Sequence, residues 1–478
     1  MAQPLVLSLR AEATLTEISD GRMVLQAPGA RLPLDGLAPG LLGALQSLVS
    51  GGGTEDALSD LVLEADGATG LAPLYYLLNR LADLRLLCYS LVADGSVIAT
   101  LTPMAAGFRP GRTSVTADTC VRLSRFACCR REGDYLIVES PLTPVRIALA
   151  GATGAALLGA LARPQTPSDL CAVPGVLEET AQAFVALLLD ADLAREASDD
   201  GSLPEDANSA LRQWEFHDLL FHARGRRGRH DYPFGGTFRF LGAIAALPAV
   251  KPAMSDETIP LPRPDLARLA AEDPPLSQIL ESRRSIREYG ERPISLRELG
   301  EFLYRVAGVR QVVDPDPERG LHYQASRRPY PSGGATYDLE LYLTVNACDG
   351  LGPGLCHYDP FAHQLERLRG PNARTEALLL DARWSAGLEV EPQVLITLAS
   401  RFQRLSWKYQ SIAYATTLKN VGVLYQTMYL VATAMGLAPC ALGGGNADLF
   451  AEAAGTAYYA ESSVGEFLLG SRKPEGAE

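Results

Sequence analysis

The chain is short of several things. Among its 478 residues, 43 Lys and Arg stand against 56 Asp and Glu, a net charge of −13. That balance lacks the basic footprint of a general nucleic-acid binder. No run approaches the ~18 uninterrupted apolar residues of a membrane helix. The opening residues, Met1 to Arg10, lack a basic segment followed by a long apolar core, so no signal peptide is read there. Cysteine is sparse. Eight cysteines, none in CxxC spacing, argue against a disulfide scaffold and against a zinc site. A cytoplasmic chain with buried free thiols, binding neither metal, nucleic acid nor membrane, is expected. Hydrophobic residues at 47% and charged residues at 21% are ordinary for a globular chain and exclude wholesale disorder.

What is present first is a repeat. Leu5 to Leu15 reads as a strand, Ser19-Asp20-Gly21 as a turn, and Arg22 to Ala27 as a second strand. Leu41 to Leu45, Leu-Leu-Gly-Ala-Leu, sits in helical context, and Leu77, Leu78, Leu81 and Leu84 fall at helical spacing. The order returns about 110 residues later, too few copies for a solenoid but enough for a duplicated β/α module. Val121 to Cys129 is β-like, Gly133-Asp134 turns, and Tyr135 to Glu139 is β-like. Leu-Leu-Gly-Ala-Leu recurs at Leu157 to Leu161, and Ala82-Asp83-Leu84 is matched by Ala191-Asp192-Leu193. This order resembles the winged-helix peptide clamp of enzymes that modify ribosomal peptides.

Pro204 to Ser209 reads as a linker, and residues 245–275, rich in Pro and Ala, as a wrapping segment. Between them stand Arg224, Arg226, Arg227 and Arg229, either a solvated face or a contact for a phosphate or peptide carboxylate. His217 and His222 are not at the spacing of a helical metal pair.

The chemistry concentrates in the last 200 residues. Arg283, Arg284, Ser285 and Arg287 follow a helical stretch, Leu276 to Leu280, and form a compact anion site of planar, permanently charged donors. Pro331, Ser332, Gly333 and Gly334 form a turn that feeds a strand from Leu339 to Val345. Its glycines let the backbone approach a flat ligand, to which Ser332 can donate. A long apolar helix, Val421 to Met435, precedes a second glycine-rich turn containing Ala441, Leu442, Gly443 and Gly444.

These three elements, in this order, resemble the nitroreductase superfamily of FMN enzymes over roughly residues 276–470. The resemblance implies that the Arg-Arg-Ser-x-Arg segment holds the FMN phosphate and ribityl chain, and that both turns line the isoalloxazine. Simple nitroreductases carry Asn and then Gln-Pro after the Pro-Ser turn, where this chain has Ala335 and then Tyr337-Asp338. Trp407-Lys408-Tyr409, the Pro-Ser-Gly-Gly-Ala turn and the ending Val464 to Gly470 resemble the azoline oxidases, and the clamp-like extension resembles their cyanobactin type.

The resemblance implies an α+β fold: a nitroreductase-like FMN domain over residues 276–478, behind two tandem winged-helix-like clamp domains over 1–100 and 113–203, with 204–275 as linker and wrap. It implies a cytoplasmic homodimer that oxidises thiazolines and oxazolines in a peptide to thiazoles and oxazoles. FMN would take a hydride and oxygen would reoxidise it. By the same resemblance Lys408 and Tyr409 would be the catalytic pair. Both have reference pKa values near ~10, so Lys408 could activate Tyr409, or burial could make Lys408 a neutral base. The alternatives are an NAD(P)H-dependent small-molecule FMN reductase, which has no use for peptide clamps, and a non-catalytic scaffold.

Overall fold

The computed structural model describes residues 3–19, 22–27, 30–111 and 113–473. It resolves two compact units, Met1–Tyr232 and Pro233–Glu478.

In the first unit the duplication is visible as pairing. The first copy runs β1 (Val6–Leu9), a meander of β2 (Thr14–Ser19), β3 (Arg22–Ala27) and β4 (Ala30–Leu34), then α1 (Pro39–Ser50), β5 (Gly53–Thr54), α2 (Glu55–Asp66), α3 (Leu71–Asp83) and the hairpin β6 (Leu87–Ala93) and β7 (Ser96–Pro103). The second runs β8 (Val121–Leu123), β9 (Cys128–Glu132), β10 (Tyr135–Glu139), β11 (Val145–Leu149), α4 (Gly151–Ala160), α5 (Pro167–Leu170), α6 (Glu178–Asp190) and β12 (Ala194–Glu196). β1 pairs with β5 and β6. β8 pairs in the same way with Gln165 and β12. One seven-stranded sheet, β5-β1-β6-β7-β11-β10-β9, draws strands from both copies, and a single apolar core runs beneath it. Pro204–Ala207 (α7) and Phe216–Arg224 (α8) complete this unit.

Two expected strands are broken. Leu5 to Leu15 divides into β1 and β2, because Ala13 N–H bonds back to Arg10 O at 2.9 Å and makes a turn at the polar Arg10–Glu12. Val121 to Cys129 divides into β8 and the start of β9. Buried Glu205 accepts from Ser124 Oγ and Arg125 N–H at 2.7 and 2.8 Å and holds a turn there. Of the expected turn at Ser19-Asp20-Gly21, Asp20 and Gly21 lie outside the described residues. Half-buried Arg224 pairs with buried Glu139, and Arg229 donates to Leu142 O at 2.8 Å, so these two members of the arginine cluster serve the fold. Arg226 and Arg227 border a cavity of about 350 Å³ with Trp214 and His222.

The second unit is a three-layer sandwich. Its elements are β13 (Gly235–Gly236), β14 (Thr258–Pro260), α9 (Leu266–Glu272), α10 (Leu276–Ser282), α11 (Leu296–Ala307), β15 (Gln311–Val313), β16 (Ala325–Arg327), β17 (Leu339–Val345), β18 (Gly354–Asp359), β19 (Gln364–Arg369), α12 (Ala373–Ala386), β20 (Val394–Arg401), α13 (Gln403–Ser406), β21 (Tyr409–Gln410), α14 (Ala413–Ala434), β22 (Leu437–Ala441), α15 (Ala447–Ala454) and β23 (Glu461–Ser471). The antiparallel sheet has the order β14-β19-β18-β17-β20-β23-β22. Strand residues alternate between faces. Leu341, Leu343, Ile396 and Phe467 pack on Phe302 and Leu303 of α11 and on Leu424 and Met428 of α14. Tyr342, Leu395 and Leu468 pack on Leu378 of α12 and Phe450 of α15. Ser295 and Glu298 form a capping box that starts α11.

The central helix begins at Ala413, eight residues before the expected Val421. Thr416, Thr417, Lys419 and Asn420 interrupt the apolar pattern there, yet Thr417 and Asn420 are buried and continue the inward stripe of Val421, Leu424, Met428 and Ala432. Among the described residues, no helix is long and apolar enough to cross a membrane and no cluster of side chains could hold a metal ion.

Candidate functional site

The segment after β20 sets the first half of the site. Trp407 is buried, and its indole N–H donates to Ile244 O at 2.7 Å. Tyr409 pairs in register with Gly236 of β13. Anchored on both sides, Lys408 in a turn and Tyr409 at the start of a short strand are half-buried, and neither is in a helix. Lys408 Nζ donates to Tyr323 Oη at 2.7 Å, and Tyr323 Oη donates to Gly334 O at 2.5 Å. Rings surround the nitrogen: its distances to the centroids of Tyr323, Tyr409 and Phe238 are 4.9, 5.0 and 5.7 Å. Burial pushes the Tyr323 phenol up, against the opposing pull of the Arg404 charge.

The Pro-Ser turn is held against this pair. Gly334 has φ +63°, and a Cβ there would fall inside van der Waals contact of both Lys408 Nζ and Tyr409 Oη. Glycine is therefore required twice over, by backbone conformation and by space. Ser332 Oγ accepts from Tyr337 N–H and Asn420 Nδ2, both at 3.1 Å. A hydroxyl that accepts twice keeps its own hydrogen for another acceptor, as the expected role of Ser332 requires. Asn420 also accepts from Gly333 N–H at 3.1 Å and donates to Asp338 at 2.7 Å. Fully buried Asp338 takes further bonds from the Ser400 and Thr417 hydroxyls at 2.8 and 3.0 Å. Buried Arg404 donates to Thr336 O and Gln324 O, each at 2.8 Å, and burial lowers its pKa to about 10.

Strain gathers here. Phe238, Ala335, Tyr337 and Ser411 all have positive φ, at 50, 54, 44 and 61°. Such backbone costs about 1–3 kcal/mol per residue and persists where surrounding structure enforces it, commonly at functional sites.

The arginine segment builds a second cluster. Ile286 N–H donates to Pro439 O at 2.8 Å, which brings the segment alongside β22. The Ser285 and Tyr429 hydroxyls are 2.7 Å apart, and Tyr429 Oη accepts from Ala441 N–H at 2.8 Å. The Arg283 guanidinium lies 5.1 Å from the Tyr429 ring centroid. Among the described residues, neither Arg283, Arg284 nor Arg287 has an ion-pair partner. Three guanidinium groups within five residues, left without a carboxylate in an acidic chain, form a donor set suited to a phosphate. Beyond Ala441, Leu442 is buried, whereas Gly443 and Gly444 are exposed with open space where a side chain would stand. The donor set of this cluster and the free Ser332 hydrogen fit the two ends of FMN.

The structure thus joins the first and third sequence elements, and joins the second to Lys408 and Tyr409. Both clusters hang on α14, through Tyr429 and Asn420 respectively. Nine helical residues separate these two, about 13 Å along the axis and about half a turn around it. Within one chain the clusters therefore flank opposite sides of the helix. Pro331, at the head of the turn, is exposed. Sequence reasoning missed Tyr323, Asn420 and Arg404. Asn420 stands just before the apolar run from Val421, where its polarity reads as readily as a loop.

Comparisons with known proteins fit this division. The nitroreductase family model matches residues 280–470. A model described as the ThcOx helix-turn-helix domain matches 1–109, and one described as cyanobactin oxidase ThcOx matches 121–231. A Methanocaldococcus jannaschii protein named for the nitroreductases, MJ1384, is 32% identical over 187 residues, covering 39% of this chain and 85% of that protein. The microcin B17-processing protein McbC of Escherichia coli is 30% identical over 148 residues, covering 30% of this chain and half of McbC. Among solved structures, a chain of the E. coli microcin synthetase McbBCD complex with truncated pro-MccB17 is 19% identical, with TM-score 0.33, over 54% of this chain and 92% of that one.

Proposed function

This chain belongs to the nitroreductase family, and from that premise we propose that it is an FMN-dependent oxidase of azoline rings in ribosomal peptides, converting thiazolines or oxazolines to thiazoles or oxazoles. The observation that carries the reading is the combination of an FMN-family unit with two segments that match cyanobactin-oxidase models. A reductase of small molecules has no use for the latter.

Aromatisation removes a proton from the ring carbon that was Cα and a hydride from the one that was Cβ. Bound FMN supplies the hydride acceptor. Arg283, Arg284 and Arg287 would hold its phosphate, and Ser332 to Gly334 its ring. The chain's own chemical task is the proton. Lys408 Nζ and Tyr409 Oη both abut Gly334, so a proton acceptor stands beside the turn that receives the ring. The duplicated first unit would hold the peptide. All eight cysteines are free, which suits a reducing cytoplasm. Mass spectrometry of an azoline peptide incubated with the protein should show loss of two hydrogens per ring. Rapid bleaching of the flavin by NADH, with the peptide unchanged, would instead establish a reductase.

The active form proposed is a homodimer with shared sites. Its support is the placement of the two clusters on opposite flanks of α14, which leaves each half open to a second copy. Tyr414 and Leu418, one helical turn apart on α14, are 49% and 40% exposed and offer apolar surface for such a partner. Light scattering of the flavin-bound protein should give twice the chain mass. A monomer with its full flavin complement would refute the shared site.

A further inference from the structure

We propose that Tyr323 is a positioning residue for azoline oxidation, acting through Lys408; this rests on the reading of Lys408 as a proton-transfer residue. Tyr323 lies in the loop between β15 and β16, remote in sequence from Lys408, and is 5% exposed. A phenol has one hydrogen to donate. That hydrogen goes to Gly334 O at 2.5 Å, so toward Lys408 Nζ, at 2.7 Å, the oxygen only accepts. The chain of bonds therefore has one direction, from Lys408 through Tyr323 to the carbonyl of the turn. One hydroxyl fixes where the amine nitrogen sits and ties that position to the backbone expected to carry the flavin ring.

The surroundings make this oxygen a fixed point. The Tyr323 ring meets Trp407 edge-on at 6.4 Å and Phe238 at 6.5 Å between centroids, and Ala325 and Trp407 share its core cluster. Arg404 holds the carbonyl of Gln324, the next residue, and that of Thr336, two residues past Gly334. The same buried guanidinium thus sets the spacing between Tyr323 and the turn. A flexible lysine stem with three donors has no such fixity by itself. The ring alone would fill the space, so the hydroxyl is the part that packing does not explain.

The test is a double-mutant cycle on the flavin-bound enzyme with an azoline peptide. Tyr323→Phe keeps the ring and removes the oxygen. It should lower kcat by about 10- to 100-fold, the range expected for a lost hydrogen bond to a charged group, with KM and FMN content unchanged. If Tyr323 acts through Lys408, adding Tyr323→Phe to Lys408→Ala should cost nothing further. A wild-type rate for Tyr323→Phe beside a slow Lys408→Ala would overturn the role of Tyr323 and leave that of Lys408 standing. Fully additive losses, or loss of FMN from Tyr323→Phe, would also overturn it, by placing the residue outside the Lys408 relay. A wild-type rate for Lys408→Ala would sink the proton-transfer reading itself.

Discussion

Lys408→Ala and Tyr409→Phe are each expected to slow azoline oxidation by about 10²–10⁴-fold, the usual cost of losing a general base, while the protein remains yellow. The expectation for the flavin follows from placement. Neither side chain belongs to the Arg283–Ser285–Ala441 cluster, and the Ser332–Gly333 turn is held by Asn420 and Asp338 rather than by this pair. The expectation for the rate follows from Gly334, against which both polar atoms lie. Single-turnover assays at matched flavin content separate the cases. Slowing in both variants would establish a coupled pair in which one group tunes the other. Slowing in one alone would identify the base. Wild-type rates in both would reduce Trp407-Lys408-Tyr409 to a structural connection and remove the residue-level basis for azoline chemistry.

Replacing Arg283 and Arg284 together with alanine is expected to strip FMN from the protein. Each charge-assisted bond to a phosphate is worth about 1.5–3 kcal/mol, so losing two weakens binding by roughly 10²–10⁴-fold. These guanidiniums make no ion pair among the described residues, so their removal breaks no salt bridge there. Arg283 also covers the Tyr429 ring, and the double variant exposes it. Lysine at both positions is the informative control, because it keeps the charge and loses the planar fork. Flavin absorbance after gel filtration reads the outcome. A double alanine variant that retains its full flavin would show that the phosphate lies elsewhere.

The central helix shows how pattern reading succeeds and fails within one element. Its apolar core from Val421 is plain in the sequence, because Leu424, Met428 and Ala432 repeat at helical spacing. Its first two turns are not, because Thr417 and Asn420 are polar residues buried by partners from another part of the chain. Asp338, 82 residues away, satisfies Asn420. No local rule distinguishes such an asparagine from one at a loop. The broken strands have the same cause: Glu205 reaches back 80 residues to make the turn that interrupts Val121 to Cys129.

The sequence by itself determined the kind of protein. Composition argued against a membrane helix and a general nucleic-acid binder, the repeated Leu-Leu-Gly-Ala-Leu exposed the duplication, and three ordered motifs carried the resemblance to flavin enzymes, because these are local properties of residue type and spacing. Only the tertiary structure decided which residues act together. It drew strands of both copies into one sheet, and it hung the arginine segment and the Pro-Ser turn on opposite flanks of α14. It also placed Tyr323 between Lys408 and Gly334. The physical reason is that a hydrogen bond or a shared cavity depends on distances of a few ångströms between side chains, and those distances are set when segments far apart in the chain bury a common core.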